Sequence, residues 1–208
     1  MRTRTWYSFL APAGVAVYVL AVVLGAALYP GYTHLKDTIS SLTNPTAPNL
    51  GLMNGLFALY KVCCLLFGVG WLADRGIASR LTRVSAAMVA VTGLLGLVMY
   101  FFPQDPMGDA ISARGTVHIA IAGALSLLTM TLILLRGIAE RRDLGLPSRA
   151  LYSFISVTFV FVTGGFSAVG VAQGWPVGGL MERLTIGGFL QWLAVQGLAP
   201  ARGAPVLA

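Results

Sequence analysis

The chain has 208 residues, of which 57% are hydrophobic and only 10% are charged. Soluble domains carry about 25% charged residues, so a chain this apolar reads as one solvated by lipid. The net charge of +7 is assigned to loops on one side of a membrane and not to nucleic acid, because basic residues collect in cytoplasmic connections.

A membrane span needs about 20 predominantly apolar residues. Six segments meet that length, near 8–29, 50–73, 83–102, 114–135, 150–171 and 180–198. They predict one all-α integral membrane domain, a six-helix bundle, followed by a short tail at 199–208. The first run follows Arg2 and Arg4, and it is longer than the 7–15 residue core of a signal peptide, so it is read as an uncleaved helix. Glu182 and Arg183 sit in the first turn of the sixth segment.

Ten basic residues fall on one side: Arg2, Arg4, Arg75, Arg80, Arg83, Arg136, Arg141, Arg142, Arg149 and Arg202. The other side holds only Lys36, Arg114 and Arg183. The positive-inside rule then places both termini in the cytoplasm of a cell-membrane protein. Asp74, Glu140 and Asp143 lie among the arginines and read as solvated loop charges. Both histidines, His34 and His118, fall on the outer side with Asp37, Asp105, Asp109 and Glu182.

The first outer connection, "YPGYTHLKDTISSLTNPTAPN", is rich in hydrogen-bonding groups. Pro30 and Gly31 end the first span. Thr33 is positioned to cap a short interfacial helix in which Leu35, Ile39 and Leu42 recur at helical spacing. His34, Asp37, Thr38 and Ser41 would share another face. Pro45 and Pro48 end the segment, Pro48 as the first residue of the next helix. The expectation is a lid whose polar face looks into the bundle; the simpler reading is a connection whose polar face meets water. The second connection, "FFPQDPMGDAIS", echoes the pattern, as an old duplication or by chance.

Taken with their order along the spans, several motifs resemble one known family. They are "YPGY-H----IS-L" after the first span, "APN" and Asn54 opening the second, "FPQD" with a later "RGTVH", and "GLMERL" in the sixth. They resemble the prokaryotic membrane family catalogued as domain of unknown function 998, over roughly residues 8–198. The resemblance implies the multi-spanning fold and the location. It implies no activity.

The residues themselves nominate an outer polar pocket of His34, Ser40, Ser41, Asp105, His118, Glu182 and Arg183. His118 lies one turn into the fourth span, about 5.4 Å deep, followed on its face by Ala122, Leu125, Ser126 and Thr129. An ionisable group in a span is a functional candidate; a histidine bonded to a carbonyl is the structural alternative. Glu182 suits the positive end of a helix dipole, although with Arg183 it also suits an interfacial anchor. Lys61 sits about 16 Å into the second span at 1.5 Å per residue, with no acid at similar depth. It is expected to point into the bundle and to meet a carbonyl, a hydroxyl such as Thr92 or Ser126, or water.

Cys63 and Cys64 are adjacent, a spacing that closes a disulfide only with strain, and they read as packing residues. Small residues in the fifth span, Ser156, Thr163, Ser167 and Gly170, read as a helix-packing face. No P-loop or dinucleotide fingerprint is present, and no cofactor is read from the sequence. Three classes of function remain open. The first is a non-catalytic membrane protein that binds a lipid head group or a membrane-protein partner. The second is a lipid hydrolase that holds a metal on His34, His118 and Asp105. The third is a small carrier that uses Lys61.

Overall fold

The computed structural model describes residues 6–77, 79–106 and 108–198. Arg2, Arg4, Arg202 and the 199–208 tail lie outside the described residues. Six α-helices follow in chain order: α1 Leu10–Ala27, α2 Leu50–Ala73, α3 Arg80–Val98, α4 Ala113–Arg142, α5 Pro147–Ala172 and α6 Gly178–Leu198. No strand occurs among the described residues. Five of these helices, α1 to α5, are long and apolar enough to cross a membrane. Helix α6 falls short of that criterion, as Glu182 and Arg183 foreshadow, and packs between α5 and α1.

Each helix packs chiefly on the helices before and after it, and α6 closes on α1. The result is a ring of six helices with two ends. The loop face carries the connections 28–49, 99–112 and 173–177. The arginine face carries the connections 74–79 and 143–146, together with both ends of the described chain.

Local chemistry sets the helix boundaries. Ser79 accepts the Thr82 amide and Ser112 accepts the Gly115 amide, capping α3 and α4. Pro147 occupies the first turn of α5, where its missing N–H costs nothing. Helix α4 runs to Arg142, seven residues beyond the segment expected from hydropathy. Nothing breaks it until Gly145, which adopts φ +62°, a conformation open mainly to glycine.

Packing is close where glycine permits it. A Cβ built on Gly68 of α2 would lie 2.3 Å from the Ala90 backbone nitrogen of α3. A Cβ on Gly93 of α3 would lie 2.5 Å from the Leu65 nitrogen of α2. The two backbones are therefore in direct contact, as small residues allow in lipid. Phe67, Trp71, Val89, Leu132, Ile133, Trp192 and Leu193 form the main buried core, toward the arginine face. A smaller cluster of Ala21, Ile39, Leu42, Met53 and Phe57 lies beneath the first connection. By contrast, no residue of α4 between Ile119 and Leu128 is buried. For almost three turns on the loop-face side α4 is covered only in part, with Ile121, Ala122, Leu125 and Leu128 half-buried.

Glu140 corrects the reading of the acidic residues near the arginines. It is 0% exposed, not a solvated loop charge. Asp74 accepts a hydrogen bond from Tyr7 at 2.8 Å, and Asp143 accepts one from Ser79 at 2.5 Å. All three acids join elements together. The extension of α4 carries Glu140 back into the bundle, where hydropathy ended the helix too early to put it.

Candidate functional sites at the two ends of the bundle

Pro30 and Gly31, the latter at φ +80°, turn the chain out of α1. Residues 33–37 then form a single turn closed by the Asp37 amide on the Thr33 carbonyl at 2.9 Å. The Asp37 carboxylate accepts the Thr33 N–H at 2.6 Å, so here Thr33 is the capped residue and not the cap. The short helix of this connection is the 3-10 segment Ser40–Thr43. Ile39 and Leu42 are buried, while Leu35 is 56% exposed. Two prolines and the local Asp37 bonds compete with a longer helix.

Tertiary contacts hold this segment onto the start of α6. The Leu180 N–H donates to the Leu35 carbonyl at 2.9 Å. Glu182 accepts the Ile39 N–H at 2.5 Å. The Arg183 guanidinium donates to the Asp37 carbonyl at 2.7 Å, to His34 Nδ1 at 3.1 Å and to the Tyr32 hydroxyl. Tyr32 in turn donates to the Thr38 carbonyl at 2.9 Å. Burial pushes its phenol up to about 12, so it stays protonated and able to donate. Gly179 makes the approach possible: a Cβ there would lie 2.3 Å from the Asp37 carbonyl oxygen. Gly179→Ala should therefore lift the connection off α6, at a cost of about 1–3 kcal/mol for overpacking. Hydrogen–deuterium exchange should then quicken in residues 33–43 and stay unchanged in α2 and α3.

A second polar group joins α3 to α4. Asp105 accepts both the Ser112 N–H and the Ser112 hydroxyl at 2.8 Å. His118 is buried, and its Nδ1–H donates to the Phe102 carbonyl at 2.8 Å. Among the described residues, the side-chain hydrogen bond from Thr38 to Gln104, at 3.0 Å, links this group to the first connection. Lys61 approaches from α2, close enough to His118 for their charges to interact. Its aliphatic stem lies on Gly96: a Cβ built there would meet Lys61 Cγ, Cδ and Cε at 3.0–3.3 Å. The residue is half-buried. Its ammonium has no hydrogen-bond or carboxylate partner among the described residues. Thr92 and Ser126, the hydroxyls offered by the sequence, donate to carbonyls of their own helices.

The nominated outer residues thus separate into two sets. His34, Ser40, Glu182 and Arg183 belong to the clasp between the connection and α6. Asp105 and His118 belong to the α3–α4 junction. Ser41 is buried and donates to the Thr38 carbonyl at 2.7 Å. Among the described residues, no three His, Cys, Asp or Glu side chains come together as a metal-binding group.

The arginine face holds a network that the sequence reading passed over. Arg136 and Glu140 of α4 are 1% and 0% exposed and pair at 3.2 Å. Arg149 of α5 reaches the same Glu140 oxygen at 3.1 Å. Ser153 donates to the other oxygen at 2.7 Å, and Trp192 Nε1–H donates to Ser153 at 3.1 Å. Arg136 also donates to Thr82 at 2.7 Å and to Gln196 at 3.2 Å, and it lies 5.4 Å from the centre of the Trp71 ring. Five helices meet there. The available signal was the i,i+4 spacing of Arg136 and Glu140, a spacing shared with many solvated surface pairs.

Residues 12–199 match the family model described as "Protein of unknown function (DUF998)". No curated protein and no solved structure matches the chain.

Proposed function

The chain belongs to the DUF998 family, a membrane-protein family without an assigned activity, and we propose that it is a non-catalytic lipid-binding protein whose Lys61 and His118 hold the anionic head group of a lipid. The observation that carries this reading is the Lys61 ammonium, without a partner among the described residues. A lone charge within a bilayer costs about 2.5–3.5 kcal/mol on insertion scales, and an anion would offset that cost. Helix α4 is at most half-buried from Ile119 to Leu128, which leaves a lipid room to approach from the side. The buried His118 is anchored through Nδ1–H on the Phe102 carbonyl, which leaves Nε2 to accept a hydrogen bond from a head-group hydroxyl.

Retention of phosphatidylglycerol against phosphatidylcholine by the purified protein, read by native mass spectrometry, tests the proposal. Lys61→Met should weaken phosphatidylglycerol retention about ten-fold, since a charged hydrogen bond contributes about 1.5–3 kcal/mol. Equal retention by the wild type and Lys61→Met would reject it.

In this proposal the loop face lies outside the cell and both termini lie in the cytoplasm, as the distribution of arginines favours. Lys36 and Arg141 are both exposed. In a background with Cys63 and Cys64 replaced by serine, Lys36→Cys should react with an impermeant maleimide on intact cells, and Arg141→Cys should not. The reverse pattern would invert the assignment.

A further inference from the structure

The first connection encloses a second feature, apart from Lys61. A depression of about 280 Å³ opens on the loop face, lined by Tyr29, Tyr32, Asp37, Ser41, Asn44 and Pro106 among others. Small-molecule sites span about 300–1,000 Å³, so this one suits a single small unit.

Asn44 is the informative residue. It is 3% exposed. Its side-chain oxygen accepts the Thr46 N–H at 2.8 Å and the Thr46 hydroxyl at 2.9 Å. Those two donors fix the orientation of the amide, because the oxygen must face them. The NH2 group then has no acceptor among the described residues. Asn44 lines the depression, and its NH2 is not sealed from solvent there, so a ligand hydroxyl can take the place of water on it. Asp37 is arranged similarly: one oxygen holds the Thr33 N–H and hydroxyl, and the other has no hydrogen-bond donor among the described residues. The rings of Tyr29 and Tyr32 lie 5.8 Å apart, tilted by 31°, and form an aromatic wall.

We propose that this depression binds one neutral sugar unit, with Asn44 donating to one hydroxyl, Asp37 accepting from its neighbour, and Tyr29 covering a C–H face of the ring. A sugar hydroxyl both donates and accepts, so a vicinal pair satisfies the open amide and the open carboxylate oxygen together. An anion would meet the Asp37 charge. A quaternary ammonium would leave the Asn44 NH2 without an acceptor, and the Arg183 guanidinium already lies 5.5 Å from the centre of the Tyr32 ring. The site stands whether or not Lys61 holds a lipid.

Saturation-transfer NMR on the purified chain in detergent tests this, with methyl glucoside, methyl galactoside, methyl mannoside and choline as separate probes at about 10 mM, a range that reports weak binding. At least one glycoside should receive saturation on its ring protons. Asn44→Asp keeps the oxygen that Thr46 requires and replaces the NH2. It should reduce that transfer about five-fold, in line with the loss of one hydrogen bond. Tyr29→Leu, at the partly exposed wall, should reduce it as well. No transfer to any glycoside, transfer to choline alone, or transfer unchanged in both variants would each overturn the proposal.

Discussion

Glu140→Gln should be among the most damaging single substitutions in this chain. The carboxylate is fully buried and receives Arg136 and Arg149 on one oxygen and Ser153 on the other. An amide retains the shape but removes the carboxylate charge that faces Arg136 and Arg149, and among the described residues it leaves the Arg136 guanidinium, 1% exposed, without a counter-charge. Breaking a buried pair from one side costs about 3–5 kcal/mol. The expected result is a steep fall in the yield of monodisperse protein and a much lower melting temperature in detergent. Replacing Arg136 by Met and Glu140 by Leu together should recover much of that loss, because the pair itself contributes far less than either orphaned charge costs. A Glu140→Gln protein as stable as the wild type would show that the cluster is solvated in the membrane.

The second large effect should come from the α2–α3 contact. Gly68→Ala places a methyl 2.3 Å from the Ala90 nitrogen, and Gly93→Ala places one 2.5 Å from the Leu65 nitrogen. Both obstacles are helix backbone, which does not move aside as a side chain can. The helices must separate, at a cost of about 1–3 kcal/mol or more for each, and the Lys61 stem loses its seat near Gly96. Gly55→Ala is the control, since a Cβ there meets nothing within 4 Å. Thermal unfolding in detergent should fall for the first two variants and stay level for the third. Equal behaviour of all three would refute the close approach.

The membrane character of the chain, the number and order of its helices and the position of its polar connections were legible in the sequence. Each depends on composition over a window of about 20 residues, and lipid imposes that window on any spanning helix. The clasp was partly legible: Glu182 and Arg183 could be read as an unusual pair at the start of α6. The partner of each could not, because His34, Asp37 and Ile39 lie more than 140 positions away and meet α6 only after a single turn and a 3-10 segment replace a continuous helix. Lys61 stood out from one dimension alone, since a charge at its depth is rare in any apolar segment. Glu140 shows the opposite case. Four residues from Arg136 and beside Arg141 and Arg142, it has the local pattern of a surface helix. Only the convergence of α2, α3, α4, α5 and α6 encloses it, because burial is decided by neighbours distant in the chain, and local charge pattern carries no record of them.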